Sequence, residues 1–496
     1  MPGSMSSTSS SCSTEARAGR RTSAPPASPT RRCSGFKTSN LTELLIRNGT
    51  VCTPAGPREA DVLVSDGVIT NVEPGLELSS KGTEVDARGK YVLPGAVDVH
   101  VHSRDPGFPE KEDFGTLTAA AAAGGVTVVL DMPNTVPAVD SAGVLESKSA
   151  LARSKAHVDF GLWGLIRSSS TADQLESMAE AGAIGFKAYL AYSFSVSRKQ
   201  VLYSPGVDDP DLEPPADYGT LARLAPVVAR LGLPLAIHAE DPTILAAFRR
   251  PVLTYADLLD SRPPDAEAVA VSAAAAVARE AGANLHVAHL SSALGLKAAE
   301  DAIHAGTALT LETCPQFLLL TADDFDRVGP AMKMLPPVRS AADRAALLDG
   351  LRRGVIRMVS TDHAPHTDDE KSRSFEEVPA GSPGVQTLYL SCLQLAKDMG
   401  DVWLAPRWVS QAPAEFAGLE ESKGSIAPGF DADLVIVDPG TRTRVRPEDM
   451  HSRQRHSALN DHEFDFAIEQ VFLRGEPVTR GAKPRGRMVR PALVAR

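Results

Sequence analysis

From Val97 onward, short runs of apolar and β-branched residues alternate with longer, alanine-rich stretches. The short runs have the length of strands, and several are apolar throughout, which is typical of strands buried on both faces. The alanine-rich stretches have the length and composition of helices, and glycines stand just beyond several of them, where helices commonly end. The eight predicted strands are Ala96–His102, Val126–Met132, Val158–Ile166, Ile184–Leu190, Leu233–Ala239, Leu285–Leu290, Ala308–Thr313 and Val355–Thr361.

One helix is predicted in each of the seven intervals between consecutive strands. This alternation of strands and helices predicts the α/β class and a (β/α)8 TIM barrel. A doubly wound open sheet is the alternative, and the count of eight strands favours the barrel. The predicted helices are Asp113–Ala123, Ser141–Ser154, Thr171–Ala181, Tyr218–Leu231, Asp265–Ala281, Ala293–His304 and Ala341–Arg353.

Shorter strand-like runs on both sides of the barrel predict a small β-sandwich built from both chain ends. We therefore divide the chain into a Ser-, Arg- and Pro-rich tail over residues 1–40, sandwich parts at 41–94 and 424–496, and the barrel at 95–423. The tail has few large apolar side chains and is predicted to be disordered. The runs in the sandwich are Leu44–Val51, Ala60–Val64, Gly67–Val72, Tyr91–Leu93, Gly424–Gly429, Asp433–Asp438 and Ala467–Leu473.

Composition and charge exclude several classes of protein. The chain has 43% hydrophobic and 23% charged residues, and no apolar run approaches the roughly 20 residues of a membrane-spanning helix. Its formal net charge is −11, which argues against nucleic acid or an anionic membrane as a partner. The five cysteines are scattered and form no Cys-x-x-Cys pair, which indicates reduced thiols and a cytoplasmic location.

A pair of histidines marks the end of the first predicted strand. His100 and His102 alternate with valines, so both imidazoles project from the same face of the strand. Two such imidazoles provide half of a divalent-metal site, although a solvated edge strand is an equally simple interpretation of the pair alone. Polar residues at the ends of other strands favour the metal site, because the carboxyl ends of barrel strands meet at one rim. These residues are Asp131, Asn134, Lys187, His238, His289 and Asp362.

Lys187 lies in an otherwise apolar run, where an ammonium must be paired, neutral or chemically modified, because desolvation of an unpaired charge is costly. A lysine that extends its amine to solvent at the strand end is the alternative. A neutral amine can add carbon dioxide, and the resulting carbamate is an anionic ligand. Asp362 follows a buried strand, and Pro365 disfavours the helix that Asp362 would otherwise cap. The whole set therefore predicts a metal site.

With this set, the chain resembles the cyclic amidohydrolases of the amidohydrolase superfamily, namely dihydroorotases, allantoinases and hydantoinases, from about Leu44 to Pro491. The resemblance implies a hydrolase of cyclic amides in which Asp362 is the catalytic general base. It also implies two Zn²⁺ ions per subunit, bridged by carbamylated Lys187. The implied metal ligands are His100, His102, Lys187, His238, His289 and Asp362. A metal-free, non-catalytic scaffold is the less favoured alternative, because every ligand position is filled.

Among these enzymes, Arg104 makes the chain most similar to dihydroorotases, which carry an arginine here for the substrate carboxylate. A planar guanidinium can hold both oxygens of a carboxylate. The resemblance implies that Asn134 and His366 complete this carboxylate site and that the backbone of Pro383 and Gly384 faces the ring. The leading hypothesis is therefore interconversion of N-carbamoyl-L-aspartate and L-dihydroorotate in pyrimidine biosynthesis.

Other positions favour a different substrate. Gln316 and Leu335 depart from the dihydroorotase pattern, and the stretch Tyr255–Pro263, with Ser261-Arg262-Pro263, resembles allantoinases. An allantoinase or another hydantoinase-type cyclic amidase is therefore the alternative. Long loops over residues 191–217 and 367–383 are predicted to be lids at the catalytic rim. The resemblance also implies a homodimer or homotetramer whose partner is a small-molecule substrate.

Overall fold

The computed structural model describes residues 43–79, 81–203, 209–479 and 481–491. The predicted disordered tail over residues 1–40 lies outside these ranges, as do residues 204–208 of the first predicted lid. Within the described ranges, no helix is both long enough and apolar enough to cross a membrane.

Parallel strands form a closed barrel, as the alternating pattern predicts. Trp163 divides the third strand into two segments, which pair with the second and the fourth strand respectively. A parallel bridge between Val101 and His363 joins the first and the last strand, and the backbone N–H of His102 donates to the carbonyl of His363 at 2.8 Å. The barrel strands are Ala96–Val101, Val126–Asp131, Asp159–Leu162 with Gly164–Ile166, Phe186–Tyr189, Leu235–His238, Leu285–Val287, Leu309–Thr313 and Met358–Val359.

The seven predicted helices are present, and an eighth, Leu388–Asp398, follows the last strand. Side-chain caps and left-handed glycines set their ends: Asp113 accepts from the N–H of Thr116, and Gly182 has a φ of 102°. The major helices are Phe114–Ala123, Ala142–Lys155, Ala172–Ala181, Tyr218–Leu231, Pro264–Ala281, Ala293–His304, Ala341–Arg352 and Leu388–Asp398. Shorter α-helices are Pro242–Ala247, Tyr255–Ser261, Pro315–Leu319, Phe325–Val328, Asp368–Lys371, Leu404–Pro406 and Ala412–Phe416.

Both ends of the chain contribute to a separate eight-stranded sheet. Strand Leu434–Asp438 pairs antiparallel with Tyr91–Pro94 and so joins the two ends. Apolar side chains such as Ile46 and Phe472 give the sheet a hydrophobic core of its own. The fold class, a (β/α)8 barrel with an additional β domain, is therefore confirmed. The strands of the sheet are Glu43–Thr53, Gly56–Ser65, Val68–Glu73, Thr83–Asp86, Tyr91–Pro94, Leu434–Asp438, Ala467–Leu473 and Glu476–Pro477.

The predicted strand Gly424–Gly429 is wrong. This segment is a loop with turns, because Gly424 and Gly429 have φ values of 81° and 95°, which the extended backbone of a strand does not contain. A Cβ at position 424 would also lie 2.6 Å from the carbonyl oxygen of Ser410. Ile426 nevertheless packs into the core of the sheet, so its apolar character reflects burial rather than a strand.

Candidate metal centre

Three of the predicted ligands meet where the barrel closes. The Oδ1 atom of Asp362 lies 3.0 Å from Nε2 of His102 and 3.4 Å from Nε2 of His100. All three side chains can point one ligand atom into the same space, since these atoms lie within 4.8 Å of one another. His100 and His102 end the first strand and Asp362 follows the last, so the closure of the barrel brings them together.

The second pair of imidazoles lies beside the first. Nδ1 of His238 faces Nε2 of His289 at 3.0 Å, from the ends of the fifth and sixth strands. The ring of His289 is 5.3 Å from that of His100, centroid to centroid. All four imidazoles therefore surround one region at the carboxyl ends of the strands, the rim on which barrels of this type place their sites.

Lys187 is fully buried on the fourth strand. It pairs with Ala236 of the fifth strand, two residues before His238. Its Nζ has no hydrogen-bond partner among the described residues. Burial lowers the pKa of Lys187 to about 8, although the negative charges of Glu312 and Asp362 oppose this effect. Near neutral pH this amine is still mostly protonated, but its neutral fraction is much larger than that of an exposed lysine, and the neutral form can react with carbon dioxide.

Neighbouring side chains set the orientation of the first two imidazoles. Nδ1 of His100 lies 2.5 Å from Oε1 of Glu312, and Nδ1 of His102 lies 2.7 Å from Oδ1 of Asn134. Both oxygens are acceptors, so each Nδ1 carries the hydrogen and each Nε2 keeps its lone pair for a cation. Carboxylates and carbonyl oxygens orient metal-binding histidines in this way.

Glu312, which sequence reasoning missed, comes from the seventh strand. The signal that was available is an acidic residue inside the buried run Leu309–Thr313. Two further contacts were also missed: Nε2 of His238 lies 2.7 Å from Oε2 of Glu240 and 3.0 Å from the hydroxyl of Tyr192. Arg262, from the allantoinase-like stretch, forms an ion pair with the same carboxylate of Glu240.

The protonation states of these groups suit metal ligands. Burial alone would raise the pKa of Asp362, but His100 and His102 hold this pKa below its usual range. Burial lowers the pKa of His102 to about 4 and that of His289 well below its ordinary value. At neutral pH the carboxylate is therefore ionised and these imidazoles are neutral, which are the forms that bind metal. The donor set fits a pair of divalent cations, with His238 and the buried amine of Lys187 as the remaining donors.

Backbone strain accompanies the site. Arg104, His289 and Asp362 have φ values of 60°, 41° and 49°, in the left-handed region that residues with a Cβ rarely adopt. Such positions cost on the order of 1–3 kcal/mol each and persist where the surrounding structure enforces them. The three residues follow three different barrel strands, so the strain is concentrated at the rim.

Two of the predicted substrate-binding side chains lie together. Nη2 of Arg104 is 3.2 Å from Nε2 of His366, and Nε of Arg104 donates to the carbonyl of Pro365 at 3.3 Å. Asn134 has another contact besides His102, because its amide donates to the hydroxyl of Tyr203 in the first loop. The N–H of Gly384, next to Pro383, donates to Nδ1 of His363 at 3.1 Å. Binding of substrate by these residues stays a prediction.

The second predicted lid, residues 367–383, is held by two buried lysines. Nζ of Lys333, outside the lid, donates to the lid carbonyls of Phe375 and Glu376. Nζ of Lys371, inside the lid, donates to the carbonyl of Pro330 at 3.3 Å and to that of Pro379 at 2.9 Å. Lys333 therefore bonds to the lid from outside it, whereas Lys371 bonds both to the neighbouring segment and within the lid.

Comparisons with known proteins agree with this architecture. The family model described as the amidohydrolase family matches residues 91–478. The allantoinase of Streptomyces avermitilis is 37% identical over 90% of this chain and 98% of its own length. A dihydroorotase of Methanosarcina acetivorans is 31% identical over 88% and 92%. The solved structure of an L-hydantoinase (dihydropyrimidinase) from Arthrobacter aurescens has a TM-score of 0.81 and 28% identity, and the match covers 90% of this chain and 99% of that one.

The expected order of similarity is not confirmed, because allantoinases match more strongly than the dihydroorotase. The family model spans the whole barrel, and the alignment with the allantoinase covers 90% of the chain. The chain therefore belongs to the amidohydrolase family, as a hydrolase of the cyclic-amide type in the group of allantoinases and hydantoinases.

Proposed function

We propose that the protein is an allantoinase-type hydrolase, which opens the ring of a cyclic ureide at an amide C–N bond. One observation carries the chemistry: Asp362 stands within 3.4 Å of both imidazoles of the first strand, with a second imidazole pair beside them. The choice of allantoin over dihydroorotate is supported by the 37% identity to an allantoinase. It is also supported by Arg262, which binds the carboxylate that holds His238.

We propose that His100, His102, His238, His289, Asp362 and carbamylated Lys187 hold two Zn²⁺ ions. The Nζ of Lys187 has no hydrogen-bond partner among the described residues, which supports this assignment. Conversion of this buried amine to a carbamate would give it an anionic group that can bind the cations. When bound, such ions would activate a water molecule and polarise the carbonyl of the ring.

Asp362 is the proposed general base. Its carboxylate is ionised at neutral pH because His100 and His102 hold its pKa below the usual range, against the effect of burial. It can therefore accept a proton from the attacking water and then return this proton to the ring nitrogen that leaves. Its strained backbone and its contact with two imidazoles fix the carboxylate in one position.

Dihydroorotase activity is the second candidate, and one specific observation favours it. The guanidinium of Arg104 lies beside His366 at the rim, as a site for a substrate carboxylate requires. Against this assignment, Oδ1 of Asn134 already accepts from His102, and Leu335 provides no polar group for the ring.

A turnover assay of the purified zinc-loaded protein tests both candidates. Allantoin, dihydroorotate and hydantoin are compared side by side at equal concentration, with Asp362→Asn as the inactive control. We expect the highest kcat/KM with allantoin. Preference for dihydroorotate would establish the second candidate instead. No turnover of any cyclic amide would contradict both candidates, and failure to retain zinc as well would support the metal-free scaffold alternative.

A further inference from the structure

We propose that His286 is a positioning residue of the metal centre, which holds the Glu312 carboxylate so that this carboxylate orients His100. His286 is not a predicted ligand; its side chain lies inside the barrel on the sixth strand, with 1% of its surface exposed. The inference rests on the proposed metal-dependent function and extends it to a residue that touches neither substrate nor cation.

The contacts form a continuous series. Nε2 of His286 lies 3.4 Å from Oε2 of Glu312, and the other carboxylate oxygen, Oε1, lies 2.5 Å from Nδ1 of His100. Oε1 also accepts from the backbone N–H of His289 at 3.3 Å. The 3.4 Å contact is a close polar approach and not a formed hydrogen bond, because neither Nε2 of His286 nor Oε2 of Glu312 has a hydrogen-bond partner among the described residues. The two oxygens of one carboxylate thus serve two different imidazoles.

The carboxylate of Glu312 favours one position of the hydrogen on His286. A carboxylate oxygen can only accept, so the neutral ring directs the hydrogen on Nε2 toward Oε2 of Glu312. Nδ1 of His286 lies 2.9 Å from the hydroxyl oxygen of Thr310, which can donate to it in this tautomer, although the same hydroxyl also lies 3.4 Å from the carbonyl oxygen of Leu285. His286 is thus the donor that faces Oε2, and Thr310 is compatible with this orientation.

Packing fixes the plane of the ring. Phe416 lies against His286 with 4.3 Å between ring centroids, on the side of a cavity of about 480 Å³ at the amino ends of the strands. Without the His286 ring, no donor would face the buried Oε2, and the carboxylate could turn away from His100. Since groups that orient a ligating histidine affect metal affinity by about 10- to 100-fold, an effect on zinc retention is expected.

The test compares His286→Leu with His286→Gln in the full-length, zinc-loaded protein. We measure the rate of zinc transfer to a chelator, the visible spectrum after cobalt substitution, and kcat and KM separately. For His286→Leu we expect zinc loss to accelerate about tenfold or more, the cobalt spectrum to shift and kcat to fall with KM little changed. His286→Gln keeps a donor, so it should lie closer to the unaltered protein.

Two matched pairs separate positioning from packing. Thr310→Val removes the hydroxyl and should reproduce part of the His286→Leu effect, whereas Thr310→Ser keeps the hydroxyl and should not. Phe416→Leu alters the packing but no hydrogen bond, and it should leave the zinc-loss rate unchanged. Equal effects of Phe416→Leu and His286→Leu would overturn the inference, as would unchanged zinc loss in His286→Leu and Thr310→Val.

If His286→Leu fails to fold, the threonine pair decides. The zinc readout needs no substrate, so a failure of this inference is distinct from a failure of the proposed function. Rapid zinc exchange in the unaltered protein would instead count against the metal centre itself.

Discussion

Oδ1 of Asn134 lies 2.7 Å from Nδ1 of His102, so a residue predicted to bind substrate contacts the imidazole of a proposed metal ligand. The amide nitrogen of the same side chain donates to Tyr203, which belongs to the first loop. Asn134 therefore connects the metal centre to a segment that is predicted to cover it. A change at this position should affect every substrate, whether or not the ring carries a carboxylate.

We expect Asn134→Ala to lower kcat/KM by about 10- to 100-fold for all cyclic substrates and to accelerate zinc loss, because His102 loses the partner that orients it. Asn134→Asp keeps an acceptor for Nδ1 and should retain more zinc. Steady-state kinetics with two substrates and a chelator assay check this prediction. A loss restricted to carboxylate-bearing rings, with normal zinc retention, would restore the substrate-binding role.

Arg104→Met separates the two candidate functions. A charged hydrogen bond to a carboxylate contributes on the order of 1.5–3 kcal/mol, so turnover of dihydroorotate should fall by about 10- to 100-fold or more. Allantoin carries no carboxylate, and its kcat/KM should change much less. Arg104→Lys keeps the charge but not the planar fork, and it serves as the matched variant. Equal losses for both rings would mean that Arg104 supports the rim itself, where its φ of 60° places it.

The metal-free protein should lose stability as the pH falls below about 6.5. Burial lowers the pKa of His102 to about 4, so between pH 6.5 and 4 the unfolded chain binds a proton that the folded protein does not. The contribution from this group is about 1.4 kcal/mol per pH unit within that window, and it is absent above it.

Chemical unfolding of metal-free protein at a series of pH values measures this slope. His102→Asn removes the titrating group, so its free energy of unfolding should depend less steeply on pH by about one proton. The same slope in both proteins would show that His102 is protonated in the folded state.

Lys333 and Lys371, which bond at the second predicted lid, predict an effect of this loop on substrate access. Lys333→Met and Lys371→Met each remove two hydrogen bonds to backbone carbonyl groups, which costs about 0.5–1.5 kcal/mol for each bond. We expect KM to rise and limited proteolysis to cut faster within residues 367–383. Lys297→Met is the control, because Lys297 pairs with Asp301 on an exposed helix face. Unchanged proteolysis in both lid variants would contradict a role for the lysines in closing this loop.

The sequence predicts the barrel well because its strands are short apolar runs that alternate with longer, alanine-rich stretches. This alternation is typical of a (β/α)8 barrel. The eighth helix, Leu388–Asp398, was not predicted, and eight of its residues are buried, so it has no clear polar face to give a helical period. The pattern of polarity predicts a strand at Gly424–Gly429 because Ile426 is apolar, but it does not show the positive φ angles of the two glycines, which prevent strand pairing.

The candidate ligands were found because each is a polar residue at the end of an apolar run. Glu312 was missed since its importance depends on His100, which lies 212 residues away along the chain. The same limitation applies to Asn134, whose contact with His102 only the folded backbone determines. Local pattern identifies donors, whereas the partners that orient them depend on tertiary structure.

The bridge between Val101 and His363 has a consequence for the order of assembly. Asp362 reaches His102 across 260 residues of chain, and it does so only when the last strand docks against the first. A nascent chain whose eighth strand has not yet been synthesised contains His100 and His102 but lacks Asp362. It therefore cannot form the complete proposed metal site. We therefore expect acquisition of the two proposed ions to follow the joining of the barrel ends.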